Sequence, residues 1–321
     1  MQDLNLFNMI SASKQVVYLV HIVIPMVVLL ILKKGFLHKL PRDRGKAFTI
    51  DGAKSKGKAT GTGILLYAAF LATYLLVGDL EVKWLGLYGI MFYEMITGYL
   101  DDRASQPWHE NLKALLDFMA CILTAFIFNL DGGVVFDFYL FTVASTSLIG
   151  YIIILVFLWT CINTFNCCDG VDGLSGTMAL NTLLALGIFM VGLGMSSVLP
   201  MMVSLISILI WYLWYNSEPS SLLMGDAGSR FIGLFLGLCF LETGHLLLAF
   251  IFAFTIIIDG FPGLVKIFII KVFKKNIMPM RFPLHDYMRK DLGWGKSKIV
   301  FRFLLIQATI SGVGLIVLSM F

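Results

Sequence analysis

Charge is what this sequence has least of. Only 14% of its 321 residues are Asp, Glu, Lys or Arg, where soluble globular chains carry about 25%. With 59% hydrophobic residues and a mean hydropathy of +0.88, a soluble globular fold is excluded and a polytopic membrane protein is left. Cysteine is scarce as well. Cys121, Cys161, Cys167, Cys168 and Cys239 are odd in number, lie in or beside apolar runs and have no zinc-type spacing, so they read as buried thiols rather than a disulfide framework or a zinc site. The first apolar run, 16–32, is followed by a basic segment without a small-residue cleavage site; it reads as a span, not a cleavable signal peptide. The stretch Lys56 to Gly63 does not end in the Gly-Lys-Ser/Thr of a Walker loop, and no internal repeat is seen. A net charge of only +4 leaves no basic footprint for nucleic acid, and no such partner is expected.

What is present is a succession of apolar stretches. A bilayer core of ~30 Å takes about 20 residues of helix, and about 17 will serve. Ten stretches are read as spans, at 16–32, 61–77, 84–100, 112–130, 141–162, 174–193, 198–215, 231–241, 245–258 and 299–321; the eighth and ninth are short as written, borrow flanking residues, and are kept apart by the polar break Glu242-Thr-Gly244-His245. The expectation is an all-α, polytopic integral membrane protein of about ten transmembrane helices forming a single catalytic domain over 1–321. All of the 24 Lys and Arg except Lys14, Lys83 and Arg302 fall in the odd-numbered loops. By the positive-inside rule both termini lie outside and the odd loops face the cytoplasm.

The loops that would build a site are therefore 33–60, 101–111, 163–173, 216–230 and 259–298. The fifth contains Asn163-Thr-Phe-Asn166-Cys-Cys-Asp169-Gly170-Val-Asp172-Gly173, the third begins with Asp101-Asp102, and the seventh holds Asn216 and Met224-Gly-Asp226-Ala-Gly-Ser229. Asp172 is also a plain N-cap candidate for a helix starting at Leu174. A purely structural role for these acids would need a Lys or Arg for each, and the three loops supply only Arg103, Lys113 and Arg230. Carboxylates, carboxamides and a deficit of basic residues suit Mg²⁺, which keeps several waters and binds through one or two carboxylates plus substrate phosphate. Lys56-Gly-Lys-Ala-Thr60-Gly-Thr-Gly63 leads into a helix and suits an anion such as phosphate. The ninth loop carries an apolar piece, Phe261 to Phe273, too short to span and broken by Lys266 and Lys271, then His285 among Arg281, Arg289 and Lys290.

Asp101-Asp102, Asn163-x-x-Asn166-x-x-Asp169-Gly-Val-Asp172-Gly-Leu174, Leu213-Trp-Tyr-Asn216, Met224-Gly-Asp226-Ala-Gly-Ser229 and Pro283-Leu-His285, in this order on ten spans, resemble the polyprenyl-phosphate sugar-1-phosphate transferases. Within them the chain is most similar to the phospho-N-acetylmuramoyl-pentapeptide transferase branch. The resemblance implies transfer of phospho-MurNAc-pentapeptide from a UDP carrier to undecaprenyl phosphate, giving lipid I and UMP with Mg²⁺. It implies a homodimer in the bacterial cytoplasmic membrane, with the site facing the cytoplasm. It makes Asp226 the Mg²⁺ ligand and Asp101, Asp102, Asp226 and His285 the catalytic residues. Lys56, Thr60, Lys113, Asn163, Asn166, Asp169, Asp172 and Asn216 become substrate-binding residues.

The sequence departs from the family at three places. Ala59-Thr60-Gly61-Thr62-Gly63 stands for Pro-Thr-Met-Gly-Gly, His285-Asp286-Tyr287 for three histidines, and Leu223 for a common aromatic before Met224. Two rival readings remain: a sister transferase using UDP-N-acetylglucosamine, and a Mg²⁺ or anion transporter. A transporter would place its acids near the bilayer midplane or show repeats.

Overall fold

The computed structural model describes residues 14–45, 55–276 and 278–320. The N-terminal tail expected outside the membrane and the 46–54 part of the first loop lie outside the described residues. Among the described residues the fold is all-α apart from one small hairpin. In order come α1 (Lys14–Phe36), α2 (Gly63–Val77), α3 (Val82–Arg103), α4 (Glu110–Phe128), β1 (Val135–Asp137), β2 (Thr142–Ala144), α5 (Leu148–Cys168), α6 (Leu174–Gly192), α7 (Leu199–Asn216), α8 (Gly225–Thr243), α9 (Ala249–Phe252), α10 (Phe254–Phe273), α11 (Leu284–Lys290) and α12 (Lys296–Leu318).

Helices α1, α4, α5, α6, α7 and α12 are long and apolar enough to cross a bilayer. Their outer faces expose Leu19, Ile22, Phe126, Ile152, Ile188 and Val313, an apolar belt that lipid would cover. Helix α8 is the axis of the bundle, packed against α2, α3 and α5 and buried along nearly its whole length. Its sequence, GDAGSRFIGLFLGLCFLET, is apolar all round after the first turn and a half, as a helix surrounded by others must be.

Two sequence expectations are corrected. The fifth span does not start at 141: Thr142–Ala144 pairs antiparallel with Val135–Asp137, and the helix begins at Leu148, where Ser147 Oγ accepts from Gly150 N at 3.0 Å. The ninth span, 245–258, is not one helix. The chain breaks at Ala253, and the short helical piece 246–252 meets α10 at 105°. A break inside a membrane exposes backbone groups that lipid cannot satisfy. Gln307 of α12 fills the gap, its Oε1 accepting from Thr255 N at 2.8 Å and its Nε2 donating to Ile251 O at 2.9 Å. The apolar piece with Lys266 and Lys271 thus continues in α10 at a steep angle to the preceding turns.

The ends joined by the odd-numbered loops gather on one side. Lys58 and Lys296 both reach Asp172, at 3.6 and 2.8 Å, and Lys113 reaches Asp226 at 2.9 Å. On the opposite side Lys83 pairs with Glu242 at 2.7 Å and Asp137 N donates to Gly244 O.

Candidate active site

Asp101, Asp102 and Asp226, expected in loops, are on helix ends. Asp101 and Asp102 lie in the last turn of α3, Asn163 and Asn166 in the last two turns of α5, and Asp226 in the first turn of α8. Polar residues continue each helix beyond its apolar part, so rigid backbone rather than loop carries this part of the site.

Asp102 seats the start of α8. Its Oδ1 accepts from Asp226 N and its Oδ2 from Ala227 N, both at 3.1 Å, satisfying two N–H groups that a helix start leaves without partners. Close approach is possible because Gly225 and Gly98 lack side chains. A Cβ on Gly225 would stand 2.3 Å from Asp102 Oδ2, and one on Gly98 2.4 Å from Asp226 O. Gly225 also takes a φ of +68°, which only glycine adopts readily.

The Asp226 carboxylate projects beside this cap. Its Oδ2 accepts from Lys113 Nζ at 2.9 Å and its Oδ1 from Asn166 Nδ2 at 3.3 Å, while Asn166 also donates to Ser229 Oγ at 2.8 Å. Lys113 forms a second ion pair with Asp101, whose Oδ1 accepts from Trp108 N at 2.6 Å. Asp101 and Asp226 thus share one lysine, and the pair keeps an excess of negative charge. Among the described residues no three His, Cys, Asp or Glu side chains converge into a ready cage for a metal ion. The donor set fits a cation completed by water and substrate oxygens, as Mg²⁺ is.

The polar loop after α5 forms a second part of the site. Asp169 accepts from Ser175 Oγ at 2.6 Å. Asp172 is not the N-cap of α6; Gly173 is, at φ +82° and without a side-chain bond. Burial alone would raise the Asp172 carboxyl, but its hydrogen bond to Lys296 and the charges of Lys296 and Lys58 outweigh that and hold it below its ordinary value. The expectation that the acids lack basic partners is therefore corrected for Asp172, because the first and ninth loops supply them. Asn216 is buried, with Oδ1 accepting from Gly173 N and Nδ2 donating to Leu222 O, both at 2.7 Å. It ties the fifth and seventh loops together.

His285, at the start of α11, is also buried. Its backbone N donates to Asp259 Oδ1 at 2.7 Å and its Nδ1 lies 2.8 Å from Asp259 Oδ2. The other ring nitrogen faces the polar loop: a Cβ on Gly170 would stand 2.4 Å from His285 Nε2. The ring is thus oriented by a carboxylate, with Nε2 against the segment that carries Asp169 and Asp172.

Lys56 is exposed in the turn before α2, and the neighbouring Lys58, not singled out from sequence, is the residue that meets Asp172 and donates to Ser220 Oγ at 2.8 Å. Thr60 donates its backbone N–H to Pro41 O at 3.0 Å. Asn163 points one layer deeper and donates to Asp117 Oδ2 at 3.2 Å. Arg230, assigned to the seventh loop from sequence, is buried in α8 with Asp117 and Glu94. Sequence reasoning missed Asp259, Asp117, Glu94 and Lys296. For the three acids the available signal was an ionisable residue inside an apolar helix, which is costly in a membrane unless paired.

A multi-helix membrane bundle whose helix ends gather aspartates, asparagines and lysines forms a polar, ionisable site at one end of its apolar helices. The pattern of glycosyl transferase family 4 matches residues 84–245. Over 300 residues the chain is 36% identical to the phospho-N-acetylmuramoyl-pentapeptide-transferase of Treponema pallidum, covering 86% of this chain and 82% of that protein. It is 27% identical over 295 residues to the enzyme of that name from Campylobacter hominis, covering 84% and 82%, and 26% identical over 315 residues to that of Rickettsia massiliae, covering 87% and 86%. The chain belongs to glycosyl transferase family 4.

Proposed function

We propose that this protein transfers phospho-MurNAc-pentapeptide from UDP-MurNAc-pentapeptide to undecaprenyl phosphate, releasing UMP and forming lipid I, at the cytoplasmic face of a bacterial inner membrane. The observation that carries the reading is the Asp101–Lys113–Asp226 cluster at one end of a membrane bundle, in a chain 36% identical to a relative named for this reaction.

An oxygen of the lipid phosphate attacks the β-phosphorus of the donor. The new O–P bond forms as the bond from that phosphorus to the bridging oxygen breaks, and UMP leaves with the electron pair. Asp101, held by Lys113 and Trp108 N, orients the lipid phosphate and takes its remaining proton where one is present. Asp102, with both oxygens engaged on α8, keeps Asp226 in place. Lys113 offsets negative charge around the diphosphate. Asp226, with Asn166 beside it, is the residue to hold Mg²⁺, which when bound would neutralise diphosphate charge and assist departure of UMP. Asp169 and Asp172 line the donor side, and Asn216 fixes its walls. His285, oriented by Asp259, meets the muropeptide together with Arg289 and Lys290 of α11. A homodimer completes the reading.

The test is UMP release by purified protein with a polyprenyl phosphate and alternative donors. Turnover is expected from UDP-MurNAc-pentapeptide and not from UDP-N-acetylglucosamine, in keeping with relatives named for phospho-N-acetylmuramoyl-pentapeptide transfer. Faster turnover of the N-acetylglucosamine donor would sink the substrate assignment.

A further inference from the structure

A second layer of polar side chains lies directly beneath the reaction centre, and no step above uses it. Each of four helices contributes one residue to each layer. Asp101 of α3 has Glu94 two turns below it, and Lys113 of α4 has Asp117 one turn below. Asn166 of α5 stands over Asn163, and Asp226 of α8 over Arg230. Spacings of three, four and seven residues stack side chains on one helix face.

Arg230, Asp117 and Asn163 bond to one another, and Glu94 lies against the Arg230 guanidinium. Arg230 Nε donates to Asp117 Oδ1 at 2.9 Å and lies 3.2 Å from Glu94 Oε2, and a second guanidinium nitrogen pairs with Asp117. Asn163 Nδ2 donates to Asp117 Oδ2 at 3.2 Å, and Arg230 Nη2 to Lys113 O at 3.4 Å. Glu94, Asp117 and Arg230 are 0%, 2% and 2% exposed. Burying three ionisable groups is weak evidence of stabilisation, since apolar side chains of similar volume commonly serve as well or better. Directional bonds do something apolar contacts do not: they stop one helix from sliding or turning against another. A slip of one residue is a rise of about 1.5 Å.

We propose that Glu94, Asp117, Asn163 and Arg230 are positioning residues for the transfer reaction. They lock the register of α3, α4, α5 and α8 so that Lys113 stays between Asp101 and Asp226. The inference rests on the reading of Asp101, Lys113 and Asp226 as the reaction centre.

The test uses the purified full-length protein. In a charge-free Glu94→Leu/Asp117→Leu/Arg230→Leu variant that melts as the wild type does, kcat is expected to fall about 100-fold, with KM for the nucleotide donor changed by no more than about threefold. The Mg²⁺ concentration giving half-maximal rate should rise about tenfold. A folded variant with kcat and Mg²⁺ dependence like the wild type would reduce the layer to packing and overturn the inference. Should the triple variant not fold, Asp117→Asn keeps the shape and the acceptor for Arg230 but removes the charge. It should lower kcat about tenfold at constant KM, and unchanged kcat would again overturn the proposal. Lys113→Ala and Asp226→Asn are the controls. Activity retained there overturns the reading of the centre itself, whereas loss there beside wild-type kcat in the lower-layer variants overturns only the positioning role.

Discussion

At the scale of single residues, Asp226 differs from the other acids in facing both a lysine and a carboxamide while its own backbone N–H is held by Asp102. Asp226→Asn is expected to abolish UMP release and raise the Mg²⁺ requirement more than the same change at Asp101 or Asp172. Loss of charge at a centre that stabilises a transition state costs orders of magnitude in rate, so turnover within about threefold of wild type at equal folding would place the metal elsewhere. Asp259 tests the histidine. As a carboxylate it favours the tautomer with the proton on Nδ1; Asp259→Asn can present its amide N–H instead and turn the proton to Nε2. Nitrogen NMR of His285 should record that exchange, and muropeptide turnover should fall about tenfold while donor KM is held. His285→Ala should hurt to a similar degree, and an undisturbed rate in both variants would remove His285 from the chemistry.

At the scale of elements, the break between α9 and α10 depends on Gln307, which supplies an acceptor to Thr255 N and a donor to Ile251 O. Gln307→Leu leaves two buried backbone groups without partners, a loss of roughly 1–3 kcal/mol each, and thermal unfolding in detergent should show a clear drop in Tm. Asp172 joins the polar loop after α5 to α12 through Lys296. Its folded carboxyl titrates below the ordinary value, so its contribution is fully present above the unfolded pKa of about 3.9 and is lost as pH falls through the lower folded value. Asp172→Asn should flatten the acid limb of stability against pH and leave the neutral range less stable, which pH-dependent melting measures. The apolar runs made most of the helices legible in the sequence, because hydropathy reports what must face lipid. The fifth and ninth spans were misplaced for a physical reason: apolar residues at 142–144 and 249–258 satisfy hydropathy equally as a hairpin or a bent helix, and only hydrogen-bond partners from Gly244 and Gln307 choose between them.

At the scale of the whole molecule, the charge partition orders the bundle. Single cysteines introduced at Ser105 and Lys274 in a background without the native thiols should resist an impermeant reagent in intact cells, and one at Asp131 should react; labelling at Ser105 but not at Asp131 would invert the topology. The sequence by itself determined the all-α membrane architecture, because a chain this poor in charge has few other ways to satisfy its backbone. It also determined the gathering of Asp101, Asp102, Asn166, Asp169, Asp172 and Asp226 at one end, because loops of equal parity share a membrane face. Tertiary structure decided the pairings. Which lysine meets which acid, whether Asn216 touches substrate or ties loops, and that Arg230 belongs to the core beneath the site are set by helix register and rotation. Register is fixed by contacts between residues far apart in the chain, such as Asp226 with Lys113 and Asp259 with His285, and hydropathy carries no record of them.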